Sequence, residues 1–213
     1  MSVLKSLFDQ YLSILKEILT QLYDEKLTQN IVFFMEKEFG SLINSEETKN
    51  IAPRDINQKT HLVTPCFIIA LYRALMNEQS AEVSLYLIKK LMIRTFYEFV
   101  GPLAEMQKKR IKNSDDKWNK FKEQTIFGTD NTYSSFEPQF ITKDDTTLEF
   151  HLKRCVFYDV FKAHGEIDLA PILCSYDDIF AEAVREWITF KRPKTIADGY
   201  DYCQFIYFPK NDN

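Results

Sequence analysis

Hydrophobic residues recur with two different periods along this chain, and the change between them limits the folds open to it. From Ser2 to Tyr23, SVLKSLFDQYLSILKEILTQLY sets Leu4, Leu7, Phe8, Tyr11, Leu12, Leu15, Ile18, Leu19 and Leu22 at three-and-four spacing, the stripe of an amphipathic helix. A second helix is expected from about Leu27 to Leu42, carrying Ile31, Phe34, Met35 and Phe39. The polar stretch Asn44–Thr60 has no period and reads as a loop. Thr64 as N-cap and Pro65 in the first turn open a helix, CFIIALYRALM, that is apolar nearly all round and so should be buried or pack on a partner subunit; a homo-oligomer stays open. Ser80 caps a long helix from Ala81 to about Lys109, in which Gly101-Pro102 should place a kink or break. A short helix over Asp116–Gln124 follows.

After Phe127 the pattern changes. Gly128 to Thr132 reads as a turn, and Phe136–Thr142 and Thr147–Lys153 alternate as strands about the turn Lys143–Asp145. CVFYDVFKAHG is a short helix closed by Gly165, and a helix with Pro171 in its first turn runs to about Glu186. Trp187–Ile196 and Tyr202–Phe208 are strands about the turn Ala197–Asp201. The expected fold is α+β: a helical layer over residues 1–127, packed on a β-β-α-α-β-β half over 128–213 with a mostly antiparallel sheet, together one compact globular unit.

Composition excludes several classes of function. With net charge −4 the chain lacks the basic footprint of a nucleic-acid binder. The one basic run, Lys108–Asn113, meets Ser114, Asp115 and Asp116 at once and reads as a solvated helix end. Lys5 and Asp9 interrupt any signal-peptide core, and no apolar run is long enough for a membrane span. The four cysteines, Cys66, Cys155, Cys174 and Cys203, are therefore expected as reduced thiols of a cytoplasmic protein. They form no CxxC pair, which argues against a zinc knuckle, and no metal or cofactor is expected. Only 5 glycines occur, and no phosphate-cradling loop or dinucleotide fingerprint is among them.

The groups able to do chemistry gather in the second half. Cys155 follows His151 and Arg154 where a strand passes into a helix; a thiol at a helix N-terminus beside a cation gains thiolate character, while a small buried hydrophobe is the plainer reading. Cys174 and Asp177 lie three apart on one helix and share a face, with Asp178 beside them; a carboxylate next to a thiol can serve as acid and base, or both acids can simply favour the helix dipole. Arg192 alternates with Ile188 and Phe190, so it shares their apolar face and needs an anionic partner, either Asp177 or a substrate carboxylate. Cys203 alternates with Phe205 and Tyr207, the position of a core thiol. His61 and His164 have no evident partner in sequence.

In order, Cys155, L-C-x-x-D (Leu173–Asp177), R-x-x-T-I-A-x-G (Arg192–Gly199) and C-x-F (Cys203–Phe205) resemble the L-2-amino-thiazoline-4-carboxylic acid hydrolase family. The resemblance covers roughly the last sixty residues. It departs at Gln204, where the family usually has an acidic residue. It implies hydrolytic opening of a small cyclic amidine to a carbamoyl-cysteine. In that reading Arg192 binds the substrate carboxylate, Cys174 or Cys155 is the nucleophile and Asp177 the acid/base. Thr195, Cys203, His151 and Arg154 border the substrate, and Gly199 allows the turn. Two other readings compete: a non-catalytic small-molecule-binding domain of sensor type, and a metal-thiolate protein.

Overall fold

A computed structural model describes residues 3–51 and 56–210. The fold is α+β: mostly helical, with one four-stranded antiparallel sheet near the C-terminus. The chain forms two compact units, Met1–Phe99 with Val156–Leu173, and Val100–Cys155 with Cys174–Asn213.

The first unit is built on helices. α1 (Val3–Leu19) buries Phe8, Tyr11, Leu12, Leu15, Ile18 and Leu19, the stripe its spacing predicts, but stops before Leu22, which is exposed. α2 (Glu25–Asn44) begins at Asp24, whose carboxylate accepts the Leu27 amide at 2.8 Å. α3 (Glu46–Ile51) replaces the first part of the expected loop. Its signal was in the sequence: Ser45 Oγ accepts the Thr48 amide, and Glu46 and Glu47 complement the dipole of the first turn. The loop expectation at 52–55 falls outside the described residues, and α4 (Ile56–Lys59) follows them.

α5 (Val63–Met76) has an unbroken buried run from Val63 to Leu71 and packs on α2 and α1. Thr64 is not its N-cap. A single 3-10 turn, Thr60–Leu62, feeds straight into the helix, which takes Thr64 into its first turn. Phe8 stacks on Phe39 at 4.0 Å and meets Phe67 edge-on at 5.7 Å, locking α1, α2 and α5 together. α8 (Val156–Ala163) closes with Gly165 at φ +74, where the Glu166 amide reaches Phe161 O at 2.8 Å, a Schellman ending that favours glycine.

His164 does have a partner, distant in sequence: its Nε2 lies 2.8 Å from Thr48 Oγ1. Arg73 of α5 ties the same corner, donating to Glu38 at 2.6 Å, Glu166 at 3.0 Å and the His164 carbonyl at 3.1 Å.

α6 (Ala81–Lys112) runs through Gly101-Pro102 unbroken, contrary to the break its sequence allows. The buried Val100 and Ala104 flank the proline, so packing retains the helix despite the missing amide donor. α7 (Lys117–Thr132) begins at Asp116 and continues eight residues beyond Gln124, through the stretch expected as a turn. Gly, Asp, Asn and Thr are weak helix formers, but Ile126 and the buried Thr129 hold this stretch against the second unit's core.

The sheet order is β1-β2-β4-β3, all antiparallel, from β1 (Pro138–Lys143), β2 (Leu148–Leu152), β3 (Ile188–Lys191) and β4 (Cys203–Pro209). Asp144 accepts the Thr146 and Thr147 amides, each at 2.7 Å, and so fixes the β1–β2 turn. One sheet face carries Phe140, Leu148, Phe150, Leu152, Ile188, Phe190, Cys203, Phe205 and Tyr207, which pack with Ile111, Phe121 and Val184. α9 (Ala170–Ala183) spans the sequence joint between the two units, and its residues from Cys174 onward belong to the second.

Candidate functional site

β3 ends at Lys191, five residues short of the expected strand end, and Arg192 is the next residue. Its side chain keeps the alternation set by Ile188 and Phe190 and comes under α9. Arg192 Nη1 donates to Asp177 Oδ2 at 2.5 Å and to the Cys174 carbonyl at 2.8 Å; Nη2 lies 3.7 Å from Asp178 Oδ1. Only 13% of the arginine side chain is exposed. Its Nε and Nη2 donate no hydrogen bond among the described residues. The three-and-four spacing of α9 is what brings a backbone carbonyl and two carboxylates to one guanidinium.

The connection from Arg192 to β4 is wound by its own side chains. Thr195 accepts the Asp198 amide at 3.1 Å and donates to Asp198 Oδ2 at 2.6 Å, capping a single 3-10 turn, Ile196–Asp198. Gly199 follows at φ +89, a conformation that L side chains rarely adopt, and lets the Tyr200 amide return to Thr195 O. The Ile196 amide then donates to Cys203 Sγ at 3.3 Å. Thr195 is buried and its hydroxyl is engaged within this turn.

The electrostatics follow from burial. Cys174 is pushed up to about 12, chiefly because burial disfavours its thiolate; Arg192 pulls the other way, while Asp177, Cys203 and Asp198 add to the rise. Cys203 is also raised, again first by burial, with the Ile196 amide opposing. Both thiols are therefore neutral at pH 7. Asp177 is pushed up to about 6, first by burial and further by Asp178, against the pull of Arg192. Its side chain keeps 38% of its surface, which would ordinarily leave a carboxylate well hydrated. That surface borders a cavity with aromatic walls, so the carboxylate faces rings there and burial outweighs the arginine.

The cavity has a volume of about 230 Å³ and lies between α7, α9 and the apolar face of the sheet. Phe121, Phe150, Phe180 and Phe205 form its walls, with Gly128 on the α7 side. Asp177 and Tyr207 bring polar groups to it. Asp177 Oδ1 and the Tyr207 hydroxyl carry no hydrogen bond among the described residues. Burial, and then the charge of Asp177, push the phenol well above its usual range.

The fold thus brings together Arg192, Asp177, Cys174 and Cys203, beside the turn made by Thr195 and Gly199. It does not bring His151 to them. His151 lies on the opposite sheet face, 3.0 Å from Glu149 Oε1 and stacked on Tyr202 at 4.2 Å between centroids. Gln204 is on that far face too and donates to Glu149 at 2.8 Å, so the departure from the family pattern points away from the cavity. Arg154 and Cys155 sit between β2 and α8, where the Arg154 amide donates to Phe136 O at 3.1 Å; neither joins the hydrogen bonds and ion pairs of Arg192. Among the described residues no three His, Cys, Asp or Glu side chains are grouped to hold a metal. None of the described helices is long and apolar enough to cross a membrane.

The abundance of Phe and Tyr suits a hydrophobic pocket, but sequence reasoning did not single out which rings form its walls. Phe180 lies three residues beyond Asp177 on α9, and Tyr207 four beyond Cys203 on β4, so their faces could be read from spacing. Phe121 lay inside the expected helix but nothing local said which neighbour its face would meet, and Gly128 lay beyond the point where that helix was expected to end.

No curated protein matches the chain. The family model for L-2-amino-thiazoline-4-carboxylic acid hydrolase, whose name implies hydrolase activity, matches residues 59–207. That span holds Arg192, Asp177, Cys174 and Cys203 and takes in most of the chain, which therefore belongs to the L-2-amino-thiazoline-4-carboxylic acid hydrolase family.

Proposed function

We propose that this protein hydrolyses a small cyclic amidine of the thiazoline carboxylate type, with Asp177 as general acid and base. The observation that carries this is a carboxylate raised to about 6, paired with a nearly buried arginine, at the edge of an aromatic cavity. A group with that pKa holds and releases a proton near neutral pH, as a single acid/base needs to do. Arg192 fixes Asp177 through Nη1, and its Nε, which donates no hydrogen bond among the described residues, is the donor left for the substrate carboxylate.

The reacting carbon is the ring carbon bonded to both nitrogen and sulfur. In its ionised form Asp177 takes a proton from water as the water oxygen bonds to that carbon. The electron pair of the C=N bond moves onto nitrogen, which receives that proton; the proton of the new hydroxyl then passes by way of Asp177 to the departing ring sulfur as the carbonyl forms and the carbon–sulfur bond breaks, and the product gains one water. The neutral state of Cys174 favours water over a resting thiolate as the attacking group. A Cys174 route would need Asp177 to take the thiol proton first, and Cys155, half-buried before α8, is the other candidate thiol.

The test is mass spectrometry of a panel of cyclic amidines, 2-amino-2-thiazoline-4-carboxylate among them, for a gain of one water. Asp177→Asn should lower kcat about 100-fold or more, while Cys174→Ser should keep measurable turnover. Loss of turnover in Cys174→Ser with activity retained in Asp177→Asn would instead assign the thiol as nucleophile and remove Asp177 from the chemistry. A bound amidine that is never converted would point to the binding-domain reading, which the aromatic cavity also suits.

A further inference from the structure

We infer that the substrate carries an apolar substituent about the size of a phenyl ring, and that the cavity between α7, α9 and the sheet is the subsite for it; this rests on the ring-opening reading above. The thiazoline carboxylate for which the family is named is small and polar, and Arg192 and Asp177 meet its needs. They do not account for a cavity of about 230 Å³ walled by Phe121, Phe150, Phe180 and Phe205. A pocket of about 150 Å³ with apolar walls already accepts benzene, so this one holds a ring of that size with room to spare.

The rings of the walls are also held by one another. Phe150 and Phe205 lie parallel, 5.0 Å between centroids at 5°, and Tyr207 stands 5.0 Å from Phe121 and 4.9 Å from Phe190. These contacts hold the rings in place before a ligand arrives, which lowers the entropy lost on binding. Asp177 and the unpaired Tyr207 hydroxyl, both lining the cavity, are polar groups for the reacting end of such a molecule. Ligand sites of this kind, apolar walls with a few convergent polar groups, orient a substrate by its polar end and draw affinity from the rest.

Gly128 makes the inference testable. It lies within α7 on the cavity wall, and an added Cβ there meets no atom within 4 Å. A longer side chain would lean toward the preceding turn, where Gln124 and Thr125 also line the cavity. The experiment compares kcat/KM for 2-amino-2-thiazoline-4-carboxylate and its 5-phenyl derivative, in the unaltered protein and in Gly128→Leu, with Thr125→Leu as a second block should the first not fold. The phenyl compound should be preferred about tenfold or more by the unaltered protein, and the preference should fall to about one in the blocked variant. Equal turnover of the two substrates, or a preference that Gly128→Leu leaves intact, overturns the subsite while ring opening stands. If neither compound turns over, ring opening itself fails, and calorimetry with the phenyl derivative decides the cavity alone. Binding that Gly128→Leu weakens about tenfold supports it, and no binding overturns it.

Discussion

Asp177 should make the folded protein less stable as pH rises from 4 to 7, the reverse of a carboxylate that an arginine simply stabilises. Its value rises from the ordinary 3.8 to about 6 in the fold. Between those two values the native state holds a proton that the unfolded chain has released, so each step upward in pH favours unfolding. Roughly two pKa units correspond to a ceiling of about 3 kcal/mol. Because 38% of the side chain is accessible, solvent screening should reduce this to about 1–1.5 kcal/mol. The perturbation is Asp177→Asn, and the assay is thermal unfolding of both proteins at several pH values between 3.5 and 7.5. The variant also loses the ion pair with Arg192; that pair forms as the carboxyl ionises, so its effect is already contained in the value of about 6 and in the pH dependence it sets. The informative quantity is how the difference in Tm, unaltered protein minus variant, changes with pH. It should fall by about 3–5 °C from pH 4 to pH 7, at the few degrees per kcal/mol expected for this length. A flat difference, or one that grows with pH, would mean that Arg192 outweighs burial and holds the carboxyl at or below its ordinary value, and would remove the basis for Asp177 as a proton carrier at neutral pH.

Two further outcomes follow from the packing. Gly128→Ala should stabilise the protein by about 0.5–1 kcal/mol, because the position is helical and the added methyl meets nothing; a rise in Tm of ~1–4 °C checks it, and a fall would show that the wall is tighter than its geometry. Arg73→Leu should cost about 2 kcal/mol, because it leaves Glu166, with 18% of its side chain exposed, and Glu38 without their cation; urea denaturation reads the loss, and the same variant with Glu166→Gln should recover part of it.

The resemblance leads to the expectation of an acidic residue after the last cysteine, and the place of Gln204 in the fold bears on that departure. On the far face of the sheet Gln204 donates to Glu149, which His151 also approaches. A carboxylate at 204 would meet the Glu149 carboxylate instead, so glutamine suits its neighbour. The exchange is local to a face that does not line the cavity, and the chemistry proposed at Asp177 does not pass through it.

Periodicity alone determined the class of this fold and much of its wiring. The stripe of α1, the fully apolar α5, the two turns of strand alternation and the C-terminal glycine of α8 are local signals, each written within a few residues of chain. The face shared by Ile188, Phe190 and Arg192, and that shared by Cys203, Phe205 and Tyr207, were legible for the same reason, since a strand has only two faces. Packing decided what local preference could not. It kept α6 helical through Pro102 and carried α7 across Gly128, where propensity favours a turn, because buried neighbours outweighed the intrinsic cost. It also chose Asp177 as the partner of Arg192, put His151 on the opposite face and lifted the Asp177 proton affinity by walling the carboxylate with rings from three other segments. Those outcomes depend on which surfaces meet, and a chain states its own surfaces long before it states their neighbours.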